Sequence, residues 1–139
     1  MDFVLVDYSE VYYRVITKTA MPEKRSGKFV QIKNYETDRE YLVLSPKGLS
    51  TYHANIVERF CLLNNKIKGS YNEKRDYFEI HDPEWYVIGG GMWMLDETNK
   101  VLELSGTSRG YGKFDPNGLK EKILSLENMS DYTVLIDGL

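Results

Sequence analysis

The 139-residue sequence predicts a single α/β (α+β) domain, a mixed β-sheet flanked by two main helices. Three observations lead to that class. The hydrophobic patterns run in the order strands, helix, strands, helix, strand. Several short β-rich runs separate the two helical stretches, so the strict strand–helix alternation of a doubly wound sheet is missing. The length suits one compact domain over residues 1–139, and 42% hydrophobic residues suffice for a real core.

Each element follows from local chemistry. VYYRVIT, at 11–17, is β-branched and aromatic and reads as a strand. MPEKRSG, at 21–27, reads as a basic turn. KFVQIKN, at 28–34, alternates apolar and polar side chains, the pattern of a half-buried strand. A short strand at 41–44 stops at Ser45-Pro46-Lys47-Gly48. A helix then opens with Ser50 as expected N-cap, and Ile56, Val57, Phe60, Leu63 and Ile67 recur at helical spacing. Asn55, Glu58 and Arg59 take the solvated face.

Residues 69–83 are polar and read as a loop with a strand near 77–80. Strand segments at 84–88 and 92–95 are joined through Gly89-Gly90-Gly91, where a bulge or bend is expected. Asp96-Glu97-Thr98-Asn99 is turn chemistry before a returning strand at 100–105. Asp115-Pro116 predicts the start of a second helix reaching about residue 126. A last strand spans 132–136.

Composition narrows the function. Twenty-one acids against 18 bases give a net charge of −3, which counts against broad nucleic-acid binding. The one cysteine, Cys61, has no internal disulfide partner and reads as a small buried residue. No run approaches the ~20 apolar residues of a membrane span, and MDFVLVDYSE lacks the basic start of a signal peptide. The expectation is a cytoplasmic monomer without membrane attachment. Only His53 and His81 are histidines, and neither has a second ligand at recognised spacing, so no metal and no cofactor are expected.

Two stretches carry chemistry. In STYHANIVERF, at 50–60, His53 stands in the first turn of the helix, three, four and seven residues before Ile56, Val57 and Phe60. A lone histidine on an apolar face is more often packing than chemistry. At a helix N-terminus, however, the macrodipole disfavours the imidazolium by roughly 0.3–1 kcal/mol, which leaves most of a ring with pKa near ~6.5 neutral at pH 7. A neutral imidazole can attack phosphorus or take a proton from water, and the same turn offers free N–H groups to an anion. In LSGTSRGYGKFD, at 104–115, three glycines and three hydroxyl residues lie between a strand and a helix, with Arg109 or Lys113 able to add charge. A flexible connection is the plain alternative. A P-loop is a poor match, because five residues separate Gly106 from Gly112-Lys113 and Phe114 stands where Ser or Thr is required.

Tyr52-His53-Ala54-Asn55-Ile56, then Gly89-Gly90-Gly91, then Gly106-Thr107-Ser108-Arg109-Gly110-Tyr111-Gly112 resembles the Janus/Ocnus family, whose best-known members are small phosphohistidine phosphatases. The resemblance runs from about residue 28 to the C-terminus. It implies a mixed sheet between two helices and metal-independent hydrolysis of phosphate from protein histidine, with a phosphorylated protein or peptide as substrate. The essential histidine falls on His53, and the strand lysine that steadies the phosphate falls on Lys28. The implied phosphate-holding amides are those of His53, Ala54, Ser108 and Gly110. The family's triple glycine is often followed by arginine, where this chain has Met92, and an upstream arginine is replaced by nothing more than Lys47. Arg109 is therefore added as a phosphate-binding candidate. The alternatives are a phosphate- or phosphopeptide-binding module of the same fold, without turnover, and an interaction domain in which His53 only packs.

Overall fold

The computed structural model describes residues 2–64 and 66–138. Among the described residues eight strands form: β1 (Phe3–Asp7), β2 (Lys24–Asn34), β3 (Arg39–Pro46), β4 (Gly69–Tyr71), β5 (Phe78–Ile80), β6 (Trp85–Asp96), β7 (Val101–Ser105) and β8 (Thr133–Ile136). Six of them build one mixed sheet in the order β1-β3-β2-β6-β7-β8, and β4 and β5 form a separate hairpin. The outer pairs β1–β3 and β7–β8 are parallel, while the inner pairs are antiparallel. Helix α1 (His53–Leu63) covers one face and α2 (Leu119–Leu124) lies against the other.

Period-2 alternation makes two cores from one sheet. Val30, Ile32 and Val43 point to the α1 side and pack with Ile56, Val57 and Phe60. Phe29, Leu42, Leu44 and Trp93 point the other way, to Leu119 and Ile123. Lys28 precedes Phe29, so its side chain emerges on the α1 side. Its partner in the register is Met92.

The structure corrects several expectations. Residues Val11–Thr17 form a π-helical segment with no buried residue, not a strand. Their β-branched character had no half-buried sheet surface to fit, and without one β-propensity is weak. A strand exists instead at Phe3–Asp7, and β2 begins at Lys24, inside the expected basic turn. The residues at 69–83 contain both strands of the β4–β5 hairpin. The triple glycine joins nothing: β6 runs through it as one strand, with a register shift against Gln31 and Ile32.

Both helices are shorter than their hydrophobic patterns. α1 ends at Leu63, yet Ile67 still reaches the core because its N–H donates to the Cys61 carbonyl at 2.8 Å. Asp115 and Pro116 precede α2 without capping it. The Asp115 N–H donates to Gln31 Oε1 at 2.7 Å, which ties that backbone to the sheet, and the helix starts only after Gly118.

Candidate functional site

The site is assembled where α1 begins. Its N-cap is Tyr52 in an extended conformation, not Ser50. The Tyr52 N–H donates to Asn55 Oδ1 at 2.9 Å. Ser50 instead hydrogen-bonds Ser45 through the two hydroxyls at 2.8 Å and accepts from Arg59. Among the described residues the N–H groups of His53 and Ala54 have no acceptor, as the first turn of a helix dictates. Ala54 is fully buried in the α1-side core, backbone included, and does not line the cleft in front of His53.

One hydrogen bond sets the state of His53. Its Nε2 lies 2.9 Å from the Gly91 carbonyl oxygen. A carbonyl only accepts, so Nε2 carries the proton and the Nδ1 lone pair is free. Burial pushes the imidazole pKa below its ordinary value; the Gly91 carbonyl pulls it back up, and the Lys28 ammonium nearby lowers it again. The ring is therefore neutral at pH 7, by desolvation more than by the helix dipole considered from sequence.

The glycine run makes this approach possible. A Cβ on Gly90 would stand 2.9 Å from His53 Cδ2, 2.6 Å from the Phe29 carbonyl oxygen and 3.2 Å from Ser108 Cβ. A Cβ on Gly89 would overlap the Lys113 backbone, its nearest atom at 2.2 Å. β6 thus accepts the imidazole and the glycine-rich loop together, and the Gly90 N–H donates to the Gly112 carbonyl at 3.1 Å. Close approach accounts for Gly89-Gly90-Gly91, and the expected bulge lies at its edge, where the β2–β6 register shifts between Gln31 and Ile32, opposite Gly89 and Val87.

The loop at 105–112 closes on itself. Ser108 and Gly112 exchange backbone hydrogen bonds of 3.1 and 2.8 Å, and Ser108 Oγ accepts from the Tyr111 N–H at 3.1 Å. The Ser108 N–H is thus already donated, which corrects its assignment as a free amide. Ser108 shapes the loop, and the unpaired N–H groups at the tip are those of Arg109 and Gly110 among the described residues. Lys113 Nζ donates to the Gly106 carbonyl and to both carboxylate oxygens of Asp137, each at 2.8 Å. That lysine braces the loop and is spent there.

His53 and the loop line one cleft of about 790 Å³, together with Lys28 and Met92 from the sheet, Tyr52 from the α1 N-cap, and Arg109 and Gly110 from the loop. Neither Lys28 nor Arg109 has an acidic partner among the described residues. Sequence reasoning missed the third wall, contributed by Lys74, Asp76 and Tyr77 from the β4–β5 turn. It also missed Tyr111, whose hydroxyl accepts from the Phe78 N–H at 2.9 Å and donates to the Phe78 carbonyl at 2.7 Å. The only signal for either was the aromatic and asparagine content of the turn and loop. Another cleft of about 700 Å³, beside His81 and Trp85, contains none of the predicted site residues. His81 hydrogen-bonds Ser70 Oγ at 2.8 Å. Among the described residues no group of three or more His, Cys, Asp or Glu is gathered as a metal site.

The fold and this cleft define a small α+β protein with a neutral histidine set against unpaired backbone amides. The chain belongs to the Janus/Ocnus family, whose model matches residues 14–133. The match begins upstream of residue 28, where the resemblance of motifs started, and takes in the π-helical segment. No curated protein matches the chain. Among the described residues no helix is long and apolar enough to cross a membrane.

Proposed function

We propose that the protein is a metal-independent protein phosphohistidine phosphatase. One observation carries the proposal: His53, its Nε2–H held by Gly91 and its Nδ1 free, faces a loop tip with unpaired N–H groups across a cleft that also holds Lys28. Phosphoryl transfer needs positioned donors around the outer oxygens more than covalent help. The amides of His53, Arg109 and Gly110, with the Lys28 and Arg109 side chains, would supply them. His53 Nδ1 attacks phosphorus or takes a proton from the attacking water. The P–N bond breaks, its electron pair returns to the substrate imidazole, and that nitrogen takes up a proton from water or from His53 Nδ1–H. Where Nδ1 has attacked, water then cleaves the new P–N bond of phosphorylated His53, releasing phosphate and restoring the ring.

The proposed substrate is a phosphorylated protein or peptide, met by a cytoplasmic monomer. The test is phosphate release from a phosphohistidine peptide in EDTA, with magnesium and zinc added back separately. Release that persists in EDTA and is not raised by either metal is the expected result. Strict metal dependence would overturn the mechanism. Binding of the peptide without release would make the protein a phosphate-binding module of the same fold.

A further inference from the structure

The β4–β5 turn brings a third cation to the cleft. Lys74 lines it together with Lys28 and Arg109, and Lys74 has no acidic partner among the described residues. Asp76 lines the cleft too, but its carboxylate is engaged within the turn, where Oδ1 accepts from Asn72 Nδ2 at 2.7 Å. Lys28 and Arg109 already match the charge of a phosphoryl dianion. Lys28 is also the cation whose field reaches the His53 ring. Lys74 comes from the β4–β5 turn, a different segment from the strand that carries Lys28 and the loop that carries Arg109.

The turn that presents Lys74 is built to stay in place. Asn72 Oδ1 accepts the N–H groups of Asp76 and Tyr77 at 3.1 and 3.2 Å, and the Asn72 N–H donates to the Tyr77 carbonyl at 3.0 Å. The Arg75 guanidinium lies over the Tyr71 ring, 4.2 Å from its centre. Tyr77 stacks on Tyr111 with ring centres 4.7 Å apart, and Tyr111 hydrogen-bonds the Phe78 backbone. The lysine's backbone is therefore held at a set position relative to the loop amides. A held, unpaired charge at the rim of a cleft wider than one phosphorylated imidazole is an arrangement for a second anionic group.

We propose that the residue 72–77 turn forms a second anion subsite, in which Lys74 binds a carboxylate side chain flanking the phosphohistidine of the substrate polypeptide. This rests on the phosphatase reading and narrows its substrate class to acidic contexts. The experiment compares two matched phosphohistidine peptides, one with glutamates and one with lysines on both sides of the modified residue. Wild-type kcat/KM should favour the glutamate peptide by ~10-fold. Lys74→Ala should collapse that ratio, and Lys74→Glu should invert it. Hydrolysis with no charge preference, or a preference that survives Lys74→Ala, would overturn the subsite and leave the phosphatase reading standing. If neither peptide is turned over, calorimetry on the same pair carrying a non-hydrolysable phosphohistidine analogue applies the same criterion to Kd. Absence of both turnover and binding would overturn both proposals together.

Discussion

His53 is controlled by one carbonyl and by burial, and both consequences are measurable. His53→Ala should reduce turnover by roughly 10²-fold or more while circular dichroism and thermal unfolding stay native. A near wild-type rate would remove the histidine from the chemistry. The depressed pKa sets a pH profile. The neutral ring is the working form, so kcat/KM should hold its plateau below pH 6.5 and fall only as pH drops through the lowered folded value. Stability has the same sign: the unfolded chain binds this proton first, so the contribution is complete above the unfolded pKa and declines as pH falls toward the folded one. An acid limb at or above the ordinary histidine value would contradict the burial argument. Lys28→Ala and Arg109→Ala should each lower kcat/KM by ~10-fold or more, about 1.4 kcal/mol. An unaffected Arg109→Ala enzyme would leave Lys28 and the amides as the phosphate site.

At the scale of elements, the site depends on three segments meeting at β6. Trp93 Nε1–H is shared between the carbonyls of Lys28 and Ser45, at 3.1 and 3.0 Å, and so fixes the strand that carries the lysine. Tyr111 ties the loop to the β4–β5 hairpin through two hydrogen bonds. Tyr111→Phe keeps the stacking on Tyr77 but removes both bonds, each of order 1 kcal/mol. The loop tip should then lose its set position, raising KM for a phosphohistidine peptide roughly tenfold, and the melting temperature should fall by roughly 5 °C or more. A mutant with unchanged kinetics would show that the loop is held by its own Ser108–Gly112 closure and the Lys113 brace alone.

At the scale of the molecule, the sheet is held to the segment carrying α2 by a buried polar cluster. Glu40 is buried, accepts from Lys122 Nζ at 3.0 Å and from Gln31 Nε2 at 3.0 Å, and Gln31 in turn holds both backbone groups of Asp115. Lys122→Met would leave the buried Glu40 carboxylate with the Gln31 amide as donor and, among the described residues, no ion-pair partner, the Lys33 ammonium acting on it only through its more distant field. The expected loss is about 3 kcal/mol, at the low end for a broken buried pair because Lys122 is partly exposed. Urea unfolding measures it, and a loss below about 0.5 kcal/mol would show that water screens Glu40. This cluster is built on the far side of the sheet from His53, so the folded mutant's kcat/KM should stay near wild type.

The sequence by itself determined the fold class, the two sheet faces and the histidine. Alternation in KFVQIKN and the 3.6-residue spacing after His53 are local signals of what a strand or helix must bury. It also marked the glycine run and the glycine-rich loop, because few other local patterns need so many residues without a side chain. Tertiary structure decided the rest. Val11–Thr17 became π-helical because no sheet neighbour was there to satisfy its β-branched residues. Asp115 caps no helix because its carboxylate closes a local turn on the Asn117 N–H while Gln31, distant in sequence, holds its backbone, and α2 starts only after Gly118. The amide expected from Ser108 was spent on Gly112, and the third cleft wall came from the turn of a hairpin of which the sequence indicated only the strand near 77–80. Each of these outcomes was set by a partner many residues away or by a loop closure, and a single sequence shows which groups can donate or accept but not which of them will meet.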